Sequence, residues 1–159
     1  MLLVGHDFID NNASFNTMLR RDGEKVMVQA YAAAGCDENT PVAIQWMGSG
    51  YNATALVASV YAYVGVPEGT QSVGAGSWGW YIIRGYVENV QASAAESVGS
   101  VGHAICWTGD TLYASSSANI GRHTTGQVGV IVSGANLAGG VNASTTINMY
   151  LTGVYATAK

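Results

Sequence analysis

The pattern of apolar and polar positions along the chain predicts strands rather than helices. Alternating runs rich in Val, Ile, Thr and aromatic residues are separated by clusters of Gly, Ser, Thr and Asn. The clearest run is GWYIIRGYVENVQ at 79–91, which places Trp80 and Ile82 on one face and Tyr81 and Ile83 on the other. Because both faces are apolar near its start, this strand is predicted to be covered on both sides.

Several further segments are predicted to be strands. The stretch at 54–66 is ambiguous, since Leu56, Val60 and Val64 have helical spacing, but its Val, Tyr and Thr content favours a strand. No segment predicts a long helix, so we expect an all-β sandwich or barrel of short strands. The other predicted strands lie at 25–35, 41–46, 126–134 and 145–157, and a hairpin with a TGDT turn is predicted at 102–115.

Three landmarks recur in the same order along the chain. The pairs are VAIQW and HAICW, VGVP and VGVI, and YIIRG and MYLTG, at separations of 61, 64 and 68 residues. The recurrence predicts two similar units, 41–90 and 102–157, within a single β domain at 26–159 that follows an N-terminal arm at 1–25. The alternative is chance similarity among segments rich in Gly, Ala and Val.

The composition is poor in charge. Charged residues make up 10% of the chain, against about 25% in an average protein, and the net charge is −4. With only six Lys and Arg residues, a nucleic-acid partner is not expected. No apolar run has the length of a membrane span, and MLLVG is too short for a signal-peptide core, so we expect synthesis in the cytoplasm. Low charge favours a surface covered by partner chains and an oligomer, although a surface of Ser, Thr and Asn would also explain it.

The candidates for chemistry are weak. GAGSWG at 74–79 matches G-x-G-x-x-G, but it leads into a predicted strand and not into the helix that a dinucleotide site requires. His103 and Cys106 are three residues apart on a strand and point to opposite faces, which is poor geometry for zinc. Cys36 and Cys106 are predicted to be buried free thiols. We therefore expect no catalytic residues, no metal and no cofactor.

Large apolar residues of the N-terminal arm and two tryptophans of the first repeat unit are the candidates for partner binding. Residues 1–25 hold both phenylalanines of the chain, which suits an arm that docks on a neighbour, although an ordinary first strand and loop is equally consistent. The four tryptophans are more typical of core or interface packing than of a sugar-binding platform. The predicted partner-binding residues are Leu2, Leu3, Phe8, Ile9, Phe15, Trp78 and Trp80.

The order of these segments resembles that of small tailed-phage capsid decoration (cement) proteins. The resemblance covers about residues 22–157 and rests on an early Asp-Gly before an alternating strand, a VGV strand, an aromatic GW strand and paired late strands. It departs in the loop at 135–144, and residues 1–21 match nothing in the family. The resemblance implies an all-β fold, a homotrimer on the capsid surface of a bacteriophage virion, and no catalysis.

Residues and resemblance together predict a structural virion protein that binds across subunits of the major capsid protein and stabilises the particle. The alternative, from a different functional class, is a carbohydrate- or receptor-binding β module of a virion fibre that stacks ligands on Trp78, Trp80 and tyrosines. Exposed coplanar aromatic rings beside polar side chains would favour the sugar-binding alternative, whereas aromatic rings buried between chains would favour the cement protein. An enzyme is the least favoured class.

Overall fold

A computed structural model describes residues 19–58, 60–69, 72–92, 101–114, 126–133 and 145–157. These residues form eleven β-strands and no helix, which confirms the all-β prediction. The strands are β1 (Leu19–Asp22), β2 (Lys25–Ala32), β3 (Val42–Trp46), β4 (Tyr51–Ala55), β5 (Tyr61–Pro67), β6 (Ser77–Ala92), β7 (Ala104–Thr108), β8 (Thr111–Ala114), β9 (Gln127–Ser133), β10 (Thr145–Thr152) and β11 (Tyr155–Thr157).

Five strands close into a barrel. Their order around the barrel is β2-β4-β3-β5-β6, and β6 pairs with β2 to complete the circle. The β2–β4 contact is parallel, and the other four contacts are antiparallel. Closure leaves no free edge among these five strands over the paired segments, which removes a common site of unwanted strand association.

The barrel interior is filled by small and medium side chains. One cluster of buried residues includes Ala30, Ile44, Ala53 and Tyr81, and half-buried Tyr63 packs against it, so all five barrel strands contribute. On β2 these residues alternate with half-buried ones, whereas β3, β5 and β6 carry buried residues on both faces. The predicted burial of both faces of the 79–91 strand is confirmed, because Tyr81 and Ile83 join this cluster while Ile82 belongs to a second one.

A second sheet continues from the long strand β6. The first half of β6, up to Arg84, belongs to the barrel, and the second half pairs with β10. The strand order of this second part is β6-β10-β9-β7-β8. The sheet curls until β8 lies against β6. Trp107, Leu112 and Met149 are fully buried in the core of this sheet, which is continuous with outward residues of the barrel such as Val66.

Two predicted strands are each divided in the structure. The segment 54–66 contains the end of β4 and most of β5, separated at Leu56–Val60. A break is required because β4 and β5 pair with opposite edges of β3, so the chain must cross from one side of that strand to the other. The segment 145–157 is β10 and β11, separated at Gly153, whose φ of 70° does not fit a continuous strand. The hairpin at 102–115 is confirmed as β7 and β8.

The two predicted repeat units have the same strand connectivity. In the first unit β3 pairs with β4 and β5, and β5 pairs with β6. In the second unit β7 pairs with β8 and β9, and β9 pairs with β10. Each sequence landmark falls on corresponding strands. Whether the coordinates of the two units superimpose stays a prediction.

The register of two of the three corresponding strand pairs is also conserved. Val66 pairs with Ile82 in the first unit, and Val130 pairs with Tyr150 in the second. Val130 lies 64 residues after Val66, and Tyr150 lies 68 residues after Ile82, as the sequence landmarks predict. The β3–β4 and β7–β8 registers agree likewise, because Trp46 pairs with Tyr51 and Trp107 with Leu112. The β7–β9 register differs by two residues from that of β3–β5 at Ala104 and Ile105, which preserves the facing of these side chains, and it shifts again at Cys106.

The predicted arm at 1–25 ends inside the first hairpin. Residues 1–18 lie outside the described part of the chain, and β1 pairs with β2 from Leu19 onward. An ion pair between Arg20 and Glu68, with 3.3 Å between Nη1 and Oε2, links β1 to the end of β5. Within the described ranges, no helix has the length and hydrophobicity that a membrane crossing requires.

Candidate functional site

Aromatic residues from four strands converge at one end of the barrel. Trp46 at the end of β3 lies opposite Tyr51 at the start of β4, and Tyr63 of β5 lies opposite Tyr155 of β11. Trp46 and Tyr51 share the inward face of their strands with Ile44 and Ala53, but they lie nearer the strand ends. We call Trp46, Tyr51, Tyr63 and Tyr155, together with their exposed neighbours Met47 and Tyr61, the aromatic end.

The rings of the aromatic end contact one another edge to face. The centroids of Trp46 and Tyr51 are 5.3 Å apart with an interplanar angle of 74°. The centroids of Tyr51 and Tyr63 are 6.4 Å apart with an interplanar angle of 64°, and those of Tyr63 and Tyr155 are 5.0 Å apart with an interplanar angle of 73°. Such tilted pairs are favourable because the positive edge of one ring meets the negative face of the next. Neighbouring rings therefore do not share a plane.

The outer members of the aromatic end are open to solvent. Trp46 and Tyr155 each expose 46% of their surface, Met47 exposes 60% and Tyr61 exposes 64%. Gln45 fixes the adjacent backbone, since its Nε2 donates a hydrogen bond to the carbonyl oxygen of Tyr61 at 3.2 Å. The result is a group of large side chains at one end of the barrel that the described part of the chain leaves exposed.

The hydroxyl group of Tyr51, inside the aromatic end, stays protonated in neutral solution. Burial raises the pKa of Tyr51, and the hydroxyl groups of Tyr63 and Tyr155 raise it further, because a phenolate there would be repelled by the other phenolates. Rings with neutral hydroxyl groups can be desolvated at low cost, and Tyr and Trp are the residue types enriched at protein interfaces. This arrangement suits contact with another protein surface.

The two tryptophans that the sequence predicted as partner-binding residues, Trp78 and Trp80, differ in exposure. Trp78 exposes 42% of its surface and packs on Tyr31 of β2, with centroids 5.6 Å apart at 57°. Trp80 is half-buried and packs against the core that contains Trp107 and Met149. Both lie on the same face of β6, and Trp78 is the more exposed of the two. The remaining predicted partner-binding residues, Leu2, Leu3, Phe8, Ile9 and Phe15, lie outside the described residues.

The aromatic end was not predicted as a site. The sequence marked Trp46 as a repeat landmark in the Ala-Ile-x-Trp motif and as one of four tryptophans typical of core or interface packing, without placing it at the surface. Its counterpart Trp107 is fully buried, and its indole Nε1 donates to the carbonyl oxygen of Gly109 at 2.9 Å. Nothing local distinguishes an exposed Trp from a buried one at equivalent positions.

The buried nucleophilic groups are packed away from the surface. Both cysteines are buried free thiols, as predicted. Tyr81 Oη donates to Cys36 Sγ at 3.4 Å. Burial raises the pKa of the Cys36 thiol, against a smaller lowering by this hydrogen bond, and burial also raises the pKa of Tyr81. Among the described residues, no group of three or more His, Cys, Asp or Glu side chains is placed to hold a metal ion.

Comparisons with known proteins give little. No protein-family model matches the chain, and no curated protein matches it. Among solved structures the chain is similar to the head fiber gp8.5 N base of bacteriophage phi29, with 13% identity and a TM-score of 0.46 over 82% of this chain and 97% of that one. At this TM-score the likeness carries no inference about function.

Proposed function

We propose that the chain is a structural protein of a bacteriophage particle, a decoration (cement) protein that binds the major capsid protein on the capsid surface. The observation that carries the proposal is the aromatic end, where a group of large rings is exposed on a chain with only 10% charged residues. In this role the protein stabilises the particle through buried contact area, and no chemistry is needed.

The aromatic end has the composition of an interface hot spot. Trp and Tyr are the residues whose truncation most often costs about 2 kcal/mol or more of binding free energy, and they act best when a partner surface excludes water from them. Trp46 and Tyr155 are backed by half-buried Tyr51 and Tyr63, so their rings are held in place before binding. A surface that is already ordered loses less conformational entropy on association.

The ring geometry supports this function over sugar stacking at the aromatic end. A carbohydrate- or receptor-binding fibre module would present ring faces in a common plane, on which sugar rings can stack. The angles of 64° to 74° between neighbouring rings give no such plane at the aromatic end. Trp78 and Trp80 do not supply one either, because Trp80 packs against the core.

Two further parts of the proposal come from the sequence. We expect a homotrimer, because so few charges suit a chain whose surface is partly covered by copies of itself. We also expect the segment 1–20 to anchor the protein to its neighbour through Leu2, Leu3, Phe8, Ile9 and Phe15. Burying one Phe or Leu side chain contributes roughly 1.5–3 kcal/mol, so two or three anchors outweigh the cost of ordering the segment.

The test is co-sedimentation with particles assembled from the major capsid protein encoded in the same genome. The full chain is expected to pellet with the particles, and the double variant Trp46→Ala/Tyr155→Ala to bind about 30-fold more weakly, which corresponds to about 2 kcal/mol. Val101→Ala is the control for an exposed apolar side chain, since Val101 is 67% exposed and lies outside the aromatic end. Failure of the full chain to bind particles overturns the proposal.

Two companion measurements separate the parts of the proposal. Light scattering of the full chain tests the trimer, and a stable monomer at micromolar concentration contradicts it. If Trp46→Ala/Tyr155→Ala turns the trimer into monomers, the aromatic end is a self-contact and not the capsid contact. Deleting residues 2–16 tests the anchor: a truncated protein that folds and binds particles like the full chain shows that the segment is not an anchor.

A further inference from the structure

A polar groove lies on the barrel wall. It has a volume of about 560 Å³, within the range of roughly 300–1,000 Å³ that is typical of small-ligand sites. Buried Val66, Pro67, Ile82 and Val87 form its apolar floor, and polar side chains form its rim. The polar rim consists of Lys25, Glu38, Asn39, Tyr86, Glu88 and Asn89.

A β-bulge in β6 places consecutive residues on one wall of the groove. Val90 pairs with Ile147 and Val87 with Met149, so the two residues Glu88 and Asn89 lie opposite the single residue Asn148. Consecutive residues of a regular strand point to opposite faces, whereas a bulge redirects one of them. Val87, Glu88 and Asn89 therefore all line the groove.

The bulge is held by a specific hydrogen bond. Asn89 has a φ of 54°, in the left-handed region, and its backbone N–H donates to Asn148 Oδ1 at 3.0 Å. The side chain of Asn148 thus satisfies an amide that the bulge removes from the ladder. A left-handed Asn costs free energy and persists only where its surroundings hold it, so the shape of this wall is fixed before any ligand binds.

The opposite wall is a turn that is tied to the same strand. Glu38 and Asn39 lie between Cys36 and β3, and Asn39 also has a left-handed φ, of 62°. The backbone N–H of Gln91 donates to the carbonyl oxygen of Asn39 at 2.9 Å, which joins this turn to β6. Of the described residues, only Asn39 and Asn89 have positive φ without being glycine, and both line the groove.

We propose that this groove binds a short uncharged oligosaccharide. The rim combines two carboxylates, two amides and one ammonium group, which together accept and donate hydrogen bonds as a set of sugar hydroxyl groups requires. The half-buried ring of Tyr86 and the apolar floor suit the C–H faces of a sugar ring. Two acids against one Lys disfavour phosphate and acidic sugars, and no described group of acids is placed to hold a metal ion.

The groove is distinct from the aromatic end and from Trp78, so this inference does not depend on the cement role. A cement protein with such a groove would give the particle a weak affinity for glycan-covered surfaces. The two activities fail separately, because binding to particles and binding to a saccharide are measured with different partners.

The test is titration of the full chain, followed by NMR or calorimetry, with a panel of neutral trisaccharides: maltotriose, cellotriose, chitotriose and mannotriose. We expect at least one to bind with a Kd in the millimolar range or below. Glu38→Gln/Glu88→Gln is expected to weaken that binding at least tenfold, because hydrogen bonds to charged groups are the stronger ones. Glu24→Gln, an exposed acid outside the groove, is the matched control and should bind like the full chain, and Trp78→Ala tests the tryptophan surface as a competing site.

Three outcomes would overturn the inference. The first is that no member of the panel binds at millimolar concentration. The second is that binding is lost in Trp78→Ala and kept in Glu38→Gln/Glu88→Gln, which would place the ligand on the tryptophan surface. The third is that binding requires Ca²⁺ and is abolished by EDTA, which would make the groove a metal site.

Discussion

The glycines of the two VGV segments, Gly65 and Gly129, are predicted to be required for close packing in both units. A Cβ at Gly65 would lie 2.8 Å from Ile44 Cγ1 and 3.3 Å from Tyr81 Cβ, inside the barrel. A Cβ at Gly129 would lie 2.4 Å from Met149 Cε and 2.7 Å from the backbone oxygen of Tyr150. Neither glycine has a positive φ, so replacement by Ala changes the space available and not the backbone conformation.

The expected cost differs between the two sites. Overpacking a filled interior typically costs about 1–3 kcal/mol, while Gly→Ala at a compatible φ restores about 0.4–1 kcal/mol by reducing the entropy of the unfolded chain. At Gly65 the Ile44 side chain must move, so we expect a net loss of about 1 kcal/mol. At Gly129 the backbone of β10 must move away from β9, so we expect a net loss of about 2 kcal/mol.

The assay is urea and thermal unfolding of Gly65→Ala and Gly129→Ala, followed by circular dichroism at one protein concentration. For a chain of this size each kcal/mol lowers Tm by about 2–4 °C. Gly74→Ala is the control, because the only atom near its Cβ would be Ser77 Oγ at 3.6 Å and its φ is not positive. Unfolding midpoints of both variants within error of the wild type would refute the packing argument, and a loss at Gly129 smaller than that at Gly65 would refute its backbone component.

Three further predictions have separate readouts. An experimental structure should superimpose the two repeat units with Gly85 on Gly153; unrelated positions for these glycines would exclude duplication. Cys36 should not react with a thiol reagent until the protein unfolds, and rapid labelling of native protein would contradict its burial. Raised pKa values of Tyr51 and Tyr81 mean that the unfolded state loses these protons first, so the contribution of these two groups to stability should be complete below about pH 10 and fall above it. Alkaline unfolding curves that show no such fall would be inconsistent with buried, neutral hydroxyl groups.

Local pattern was enough to predict most of the strands. Alternation and β-branched content identify β2, β3, β6 and β9, and a Gly-Asp turn identifies the β7–β8 hairpin. Pattern alone missed the break at Leu56–Val60, because those residues are as apolar as a strand. The break follows from topology, since β4 and β5 must lie on opposite edges of β3.

The aromatic end could not be predicted as a whole, because it combines nearby residues with one, Tyr155, that is far away in the sequence. Tyr155 meets Tyr63 only through the pairing of β11 with β5, which connects the end of the chain to the first unit. The polar groove has the same origin, since it brings Glu38 and Asn39 beside Glu88 and Asn89. A single sequence reveals which residues are aromatic or acidic, but not which strands the fold places side by side.

One strand outside the repeats explains why equivalent tryptophans have different environments. In the first unit β2 inserts between β4 and β6 and closes the barrel. The barrel interior is filled by residues that include Ala30, Ala53 and Tyr81. In the second unit, over the described residues, β8 lies against β6 with no strand between them, and Trp107 is buried in its core. Closure by β2 thus leaves Trp46 at the end of a barrel that is already filled, where its ring is free to contact a partner.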